Sequence, residues 1–145
     1  MSLYKKIFIL VLFSITISQA STVELFNSLG YSKDYTQALK YAKKENKPMM
    51  LVISTKTCPW CRKLEQQVLK RKNINKQVQN DFIGVPIEKD RDIYPTKFKP
   101  KIVPTIVFVN PKDESVIHTS YGYKPKKEFS ILLKEVLEEY KKVTK

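Results

Sequence analysis

The stretch Thr57-Cys58-Pro59-Trp60-Cys61 limits this chain most, because it joins a strand-like run to a helix-like run. Met49 to Ile53 is apolar without alternation, as in a strand covered on both faces. Arg62 to Arg71 carries Leu64, Val68 and Leu69 at helical spacing. The two cysteines, the only ones in the chain, therefore fall at a helix N-terminus. There the first backbone N–H groups lack intrahelical partners, and the aligned peptide dipoles add partial positive charge. Both favour a thiolate, which is the nucleophilic form of cysteine. Pro59 suits the first helical position, since its missing N–H has no partner to lose. Cys58 then takes the N-cap and is expected to be exposed, with Cys61 about one turn inward. Residues i and i+3 on such a turn stand roughly 5–6 Å apart, within range of a disulfide.

The N-terminus reads as a targeting segment. Lys5 and Lys6 precede an apolar run, Ile7 to Ile17, broken only by Ser14 and Thr16, and Ser18-Gln19-Ala20 supplies small residues for cleavage. Residues 1–20 are expected to be a signal peptide and 21–145 a single domain. The alternative is an uncleaved anchor, but the apolar run falls short of the roughly 20 residues that span a bilayer. The expected location is periplasmic or otherwise exported, without stable membrane insertion after cleavage. In an exported chain paired cysteines are usually structural. A loop of two residues, however, removes little entropy from the unfolded chain. A redox role explains the spacing better.

The formal charge is +13, and loss of residues 1–20 removes two lysines and no acid, leaving about +11. Nucleic acid is the usual partner for such a charge. Export argues against it, as does the spread of lysines over solvated helix faces such as Lys40, Lys43 and Lys44. No nucleic-acid partner is expected, and weak attraction to acidic lipid or acidic client proteins is the remaining use.

Along the chain, residues 21–33 show no strong period and suggest a short strand or turn. Asp34 is placed to cap a helix from Tyr35 to about Glu45, stopped by Asn46-Lys47-Pro48. After the motif helix, Asn73 is expected to cap a short helix over Ile74 to Val78. Phe82 to Ile87 reads as a strand that Pro86 moves to an edge. Residues 88–101 read as a charged loop with one helical turn. Ile106 to Val109 reads as a central strand, turned at Asn110-Pro111-Lys112-Asp113 into an antiparallel strand from Val116 to Tyr121. Gly122 ends that strand. Phe129, Leu132, Leu133, Val136, Leu137 and Tyr140 make the apolar stripe of a last helix. The order implies an α/β domain, a central mixed β-sheet flanked by helices.

The pattern resembles the thioredoxin superfamily, and within it the exported thioredoxin-like proteins, over about Tyr35 to Tyr140. Cys58-Pro59-Trp60-Cys61 after an apolar strand carries the likeness, together with Val103-Pro104-Thr105 before the hairpin. The segment from Tyr35 to Pro48 resembles the lead-in of one thioredoxin-like subgroup. The resemblance implies a thioredoxin-like fold, Cys58 and Cys61 as the catalytic pair, and Pro104 as a cis-proline facing them. The backbone of Val103 would then pair with an extended client segment. Two positions depart from the family. Val52 stands where thioredoxins keep a buried acid six residues before the first cysteine, so the proton of Cys61 needs water or another group, with Glu65 and Glu88 as candidates. Thr57 stands where they carry an aromatic residue.

The resulting reading is thiol–disulfide exchange with exported client proteins that bear thiols or disulfides. Pro59 and Thr57 support the motif. Trp60 either contacts clients or covers the helix end, and Lys56 and Arg62 either stabilise the thiolate or are ordinary surface cations. The sequence implies no cofactor and no metal; zinc wants four ligands, and only His118 is at hand besides the cysteines. The motif helix and lead-in segment resemble reductase-type proteins, which favours a reductase or interchange role over an oxidase. That role needs a membrane electron-transfer partner. The alternative is a redox-inactive thioredoxin-fold module that binds or chaperones exported proteins.

Overall fold

A computed structural model describes residues 22–144 of the chain. The signal segment expected over 1–20 lies outside the described residues.

Four strands form one sheet: β1 (Met49–Ser54), β2 (Ile83–Glu88), β3 (Thr105–Val109) and β4 (Val116–Tyr121). Their order across the sheet is β2-β1-β3-β4. β2 runs parallel to β1, β3 antiparallel to β1, and β4 antiparallel to β3. The parallel pair is joined through helices, and β3 and β4 form the expected hairpin. β2 lies at an edge, where Pro86 costs no inner hydrogen bond. Around the sheet stand α1 (Thr22–Ser28), α2 (Tyr35–Glu45), α3 (Pro59–Leu64), α4 (Lys72–Asp81) and α5 (Lys126–Val143).

Every residue of β1 and of β3 is buried, so period-two alternation sorts their side chains between two cores. Met50, Val52, Ile106 and Phe108 pack with Leu25, Leu64, Val68, Ile74 and Leu133 on one side. Met49, Leu51, Ile53, Val107 and Val109 meet Tyr35, Ala38, Ala42 and Phe98 on the other. Val52 is thus a core residue beneath the motif helix, with 1 % of its surface exposed.

Three expectations need correction. Residues 22–28 form α1 rather than a strand or turn, because Leu25, Phe26 and Leu29 anchor one helical face in the core. A segment this short takes its structure from packing rather than from its own propensity. The motif helix does not run unbroken to Arg71: after Leu64 it widens into a π turn, Glu65–Leu69, closed by the Lys70 N–H donating to Glu65 O at 2.9 Å. α4 begins at Lys72 with Arg71 at its N-cap, two residues ahead of the Asn73 cap, because buried Ile74 and Val78 hold a longer helix. By contrast α2 has the expected bounds, with the Asp34 side chain accepting from the Gln37 N–H at 2.8 Å.

Candidate active site

All four strand ends on one side of the sheet are fixed by register. Ser54 pairs with Glu88, Ile53 with Thr105, and Thr105 with Tyr121. The segments that leave these ends therefore share one end of the molecule. They hold Thr57 and the cysteines after β1, Val103 and Pro104 before β3, and Gly122 and Tyr123 after β4.

Cys58 caps α3 with extended backbone angles, φ −96° and ψ 103°. Pro59 follows at the first helical position, as its ring geometry favours. Cys58 and Cys61 are joined as a disulfide with their Cα atoms 5.2 Å apart. The Cys61 N–H donates to Cys58 Sγ at 3.1 Å. A backbone N–H donated to a cysteine sulfur favours the thiolate of that sulfur once the pair is reduced. Cys58 is not exposed as its capping position suggested. It shows 8 % of its surface against 2 % for Cys61, because its sulfur turns inward to Cys61 and its N–H.

The Val103–Pro104 peptide bond is cis, and Pro104 is buried while Val103 is half-buried. Thr105 Oγ1 donates to Ile102 O at 2.8 Å, and the Gly122 N–H donates to Pro104 O at 2.8 Å, which together brace the loop from both sides. Thr57 is exposed in the short loop ahead of Cys58. Trp60 is 55 % exposed. One of its faces meets Tyr123, with ring centroids 5.8 Å apart and planes at 43°. Lys63 Nζ lies 4.6 Å from the Trp60 ring and 4.8 Å from the Tyr123 ring, close enough for both to attract the cation. Arg62 Nη1 donates to Lys56 O at 3.0 Å and so ties the helix to the loop before the motif.

Tyr123 and Lys63 went unremarked in the sequence. Lys63 is one lysine among many. Tyr123 follows the strand that Gly122 ends, and only the β3–β4 register places it beside the motif helix.

The two acids considered for the Cys61 proton differ sharply. Glu65 is 4 % exposed on the buried stripe of the motif segment, one turn beyond Cys61, and its N–H reaches Cys61 O. Burial pushes its carboxyl up to about 7, against a smaller opposing pull from Arg62. Glu88 is half-buried at the end of the edge strand β2, opposite Ser54. His118 stands on β4 with its ring 6.4 Å from that of Phe108. Among the described residues no cluster of three or more His, Cys, Asp or Glu side chains is placed to hold a metal.

A sequence model described as a thioredoxin-like domain matches residues 35–137. Anterior gradient protein 3 of Mus musculus is 30 % identical over 88 residues, covering 59 % of this chain and 52 % of its own length. The chain thus spans about half the length of that curated relative. Among solved structures, a thioredoxin from Thermus thermophilus superposes with a TM-score of 0.63 at 22 % identity, over 72 % of this chain and 84 % of its own. A DsbH oxidoreductase superposes with a TM-score of 0.56 at 15 % identity, over 88 % and 96 %. At such identities these likenesses concern the fold.

Proposed function

The chain belongs to the thioredoxin-like family and has that family's oxidoreductase fold with a Cys-x-x-Cys pair at disulfide distance, and we propose that it is an exported thiol–disulfide oxidoreductase acting as a reductase or interchange catalyst. The observation that carries the reading is the Cys58–Cys61 disulfide on a helix N-cap, with the Cys61 N–H on Cys58 Sγ. A structural staple needs no such donor on its sulfur.

In the proposed reaction the Cys58 thiolate of the dithiol form attacks a client disulfide. A mixed Cys58–client disulfide forms and one client thiolate leaves. Cys61, its proton passed to Glu65, then attacks Cys58 Sγ. This regenerates the Cys58–Cys61 disulfide and releases the second client thiolate. Two electrons pass from the protein to the client, and two protons end on the client thiols. A membrane-bound dithiol donor restores the reduced form. Trp60 and the Val103 backbone hold the client as an extended segment beside Pro104, with Pro59 and Thr57 shaping the motif. Export rests on the composition of residues 1–20. Among the described residues no helix is long and apolar enough to cross a membrane.

The test is turbidity during insulin reduction by dithiothreitol. The protein should accelerate precipitation and Cys58→Ser should not. Equal rates with the two proteins, or no acceleration by either, overturn the reading. Equilibration against glutathione fixes direction: a reduction potential at or below about −230 mV marks a reductase, and one near about −120 mV an oxidase.

A further inference from the structure

We propose that the redox end of the sheet selects client segments carrying acidic side chains close to the reacting cysteine, an inference that rests on the exchange reading above and names its substrate class. The basis is an asymmetry of charge between the two ends of the fold. The segments at the redox end are 55–58, the first turn of α3, 89–95, 99–104 and 122–125. They carry Lys56, Arg62, Lys63, Lys101 and Lys124 among their cations, and only two acids. Both acids are engaged internally. Asp90 pairs with Lys99 at 3.0 Å, and Asp92 accepts from the Glu88 N–H at 2.7 Å. Of the acids just outside these segments, Glu65 is buried, Glu88 half-buried, and Glu128 exposed in the first turn of α5 beside Lys126 and Lys127. At the opposite end lie residues 46–48, 81–82 and 110–115 with the last turns of α2 and α5, the latter joined to Asn46 through Tyr140. They hold Lys43, Lys44, Lys47, Lys112, Lys141 and Lys142 against Glu45, Asp81, Asp113, Glu114, Glu138 and Glu139, a balance of charge. A lysine-rich composition spread evenly does not produce this difference.

Two of the cations are also held in place. Lys63 Nζ sits against the rings of Trp60 and Tyr123, and Arg62 is anchored on the Lys56 carbonyl. A fixed cation gives up less side-chain entropy on meeting a carboxylate than a free one does. Both lie within two residues of Cys61 in sequence, and Lys63 stands on the exposed Trp60 ring, while Ile102 next to Val103 is a second exposed apolar side chain, 55 % and 54 % of their surfaces being open. An extended segment laid along the Val103 backbone thus meets apolar surface and ammonium or guanidinium groups together. Acidic residues near its cysteine complement them, and lysine or arginine there is repelled.

Trp60 is the one tryptophan of the chain, so its fluorescence reports binding at this end without any redox step. The oxidised full chain is titrated with two thiol-free decapeptides of equal length, one bearing aspartate and glutamate around a central serine, the other lysine. At low ionic strength the acidic peptide should bind at least about tenfold tighter, and the ratio should fall below about threefold in 0.5 M salt. Lys63→Glu should narrow the ratio, and Lys101→Glu should do so independently should the first variant fold poorly. Equal affinities, or a preference that salt leaves unchanged, overturn the proposal. So does sedimentation with anionic phosphatidylserine vesicles without discrimination between the peptides, which assigns the charge to a lipid surface. Reduction of uncharged hydroxyethyl disulfide by the dithiol form is read separately. If that reaction is absent the exchange reading fails, whereas its presence with equal peptide affinities sinks only the client selection.

Discussion

The N–H of Gly122 donates to the carbonyl oxygen of Pro104 at 2.8 Å, and this bond fixes where the chain goes after β4. The next residue, Tyr123, is carried to the side of Trp60, and its hydroxyl donates to Gln67 Oε1 at 3.2 Å on the motif segment. The cis-proline loop, the end of β4 and the exposed tryptophan therefore form one connected surface around the disulfide.

Tyr123→Ala tests that surface. The variant loses an aromatic pair worth about 0.5–1.5 kcal/mol and one side of the Lys63 cage, so thermal stability should fall only slightly. Reduction of insulin should slow several-fold while reduction of hydroxyethyl disulfide, which needs no extended contact, should hold its rate. Equal slowing of both substrates would place the fault in the cysteine chemistry instead.

Two glycines allow a contrast. Gly122 has φ +73°, and a Cβ there meets nothing within 4 Å, so Gly122→Ala should cost only the left-handed strain, about 1–2 kcal/mol. Gly84 lies against the Tyr31 ring, where an added Cβ falls 2.8 Å from ring carbons. Gly84→Ala must displace a buried ring and should cost about 1–3 kcal/mol through overpacking. Urea unfolding of both variants separates the mechanisms, because Gly122→Asn should recover stability while no side chain larger than hydrogen should at position 84.

The strands, α2 and the last helix were legible because each writes its burial into sequence. Met49 to Ile53 and Ile106 to Val109 are apolar on both faces, and Asp34 and Asn46-Lys47-Pro48 bracket α2. The capping of α3 by Cys58 followed from Pro59 alone. The π turn was hidden, since Leu64, Glu65, Val68 and Leu69 fit an ordinary α-helical stripe equally well. α1 was hidden as well, because its seven residues are helical only through their packing. At the site, the cysteines were read from local pattern and spacing, and Pro104 from the likeness to the thioredoxin superfamily. Tyr123 depends on the pairing of Thr105 with Tyr121, and the inward turn of Cys58 on a bond to the Cys61 N–H, which are properties of the assembled chain.

The two cysteines should react in a fixed order. Cys58 shows more surface than Cys61, 8 % against 2 %, and it alone caps the helix. With the disulfide reduced by excess dithiol and the reductant removed, iodoacetamide should modify Cys58 at least about tenfold faster than Cys61, as peptide mapping by mass spectrometry reads. Cys61→Ser should accumulate a mixed disulfide between Cys58 and client, since the resolving thiol is gone. Preferential labelling of Cys61 reverses the roles assigned here.

Glu65 makes stability depend on pH in an unusual direction. Its carboxyl is pushed up from the ordinary 4.5 to about 7 by burial in the folded protein. Below the lower value both the folded and unfolded states are protonated, and this group adds no pH dependence. Between the two values the unfolded chain has lost the proton while the folded one keeps it. Stability therefore falls as pH rises through this window, by up to about 1.4 kcal/mol per unit. Above the upper value both states are ionised, and the penalty levels off at about 3 kcal/mol, an upper bound because water reaching the carboxylate relaxes it. Glu65→Gln keeps the shape and removes the ionisation. Urea unfolding of the oxidised protein should show the variant gaining on the wild type across the window and staying more stable above it. If Glu65 takes the proton of Cys61 as proposed, resolution of the mixed disulfide should slow in the same variant, while attack by Cys58 keeps its rate. Parallel stability profiles for the two proteins would mean that Glu65 is solvated in the folded state, and the proton of Cys61 would then have to leave through water or Glu88.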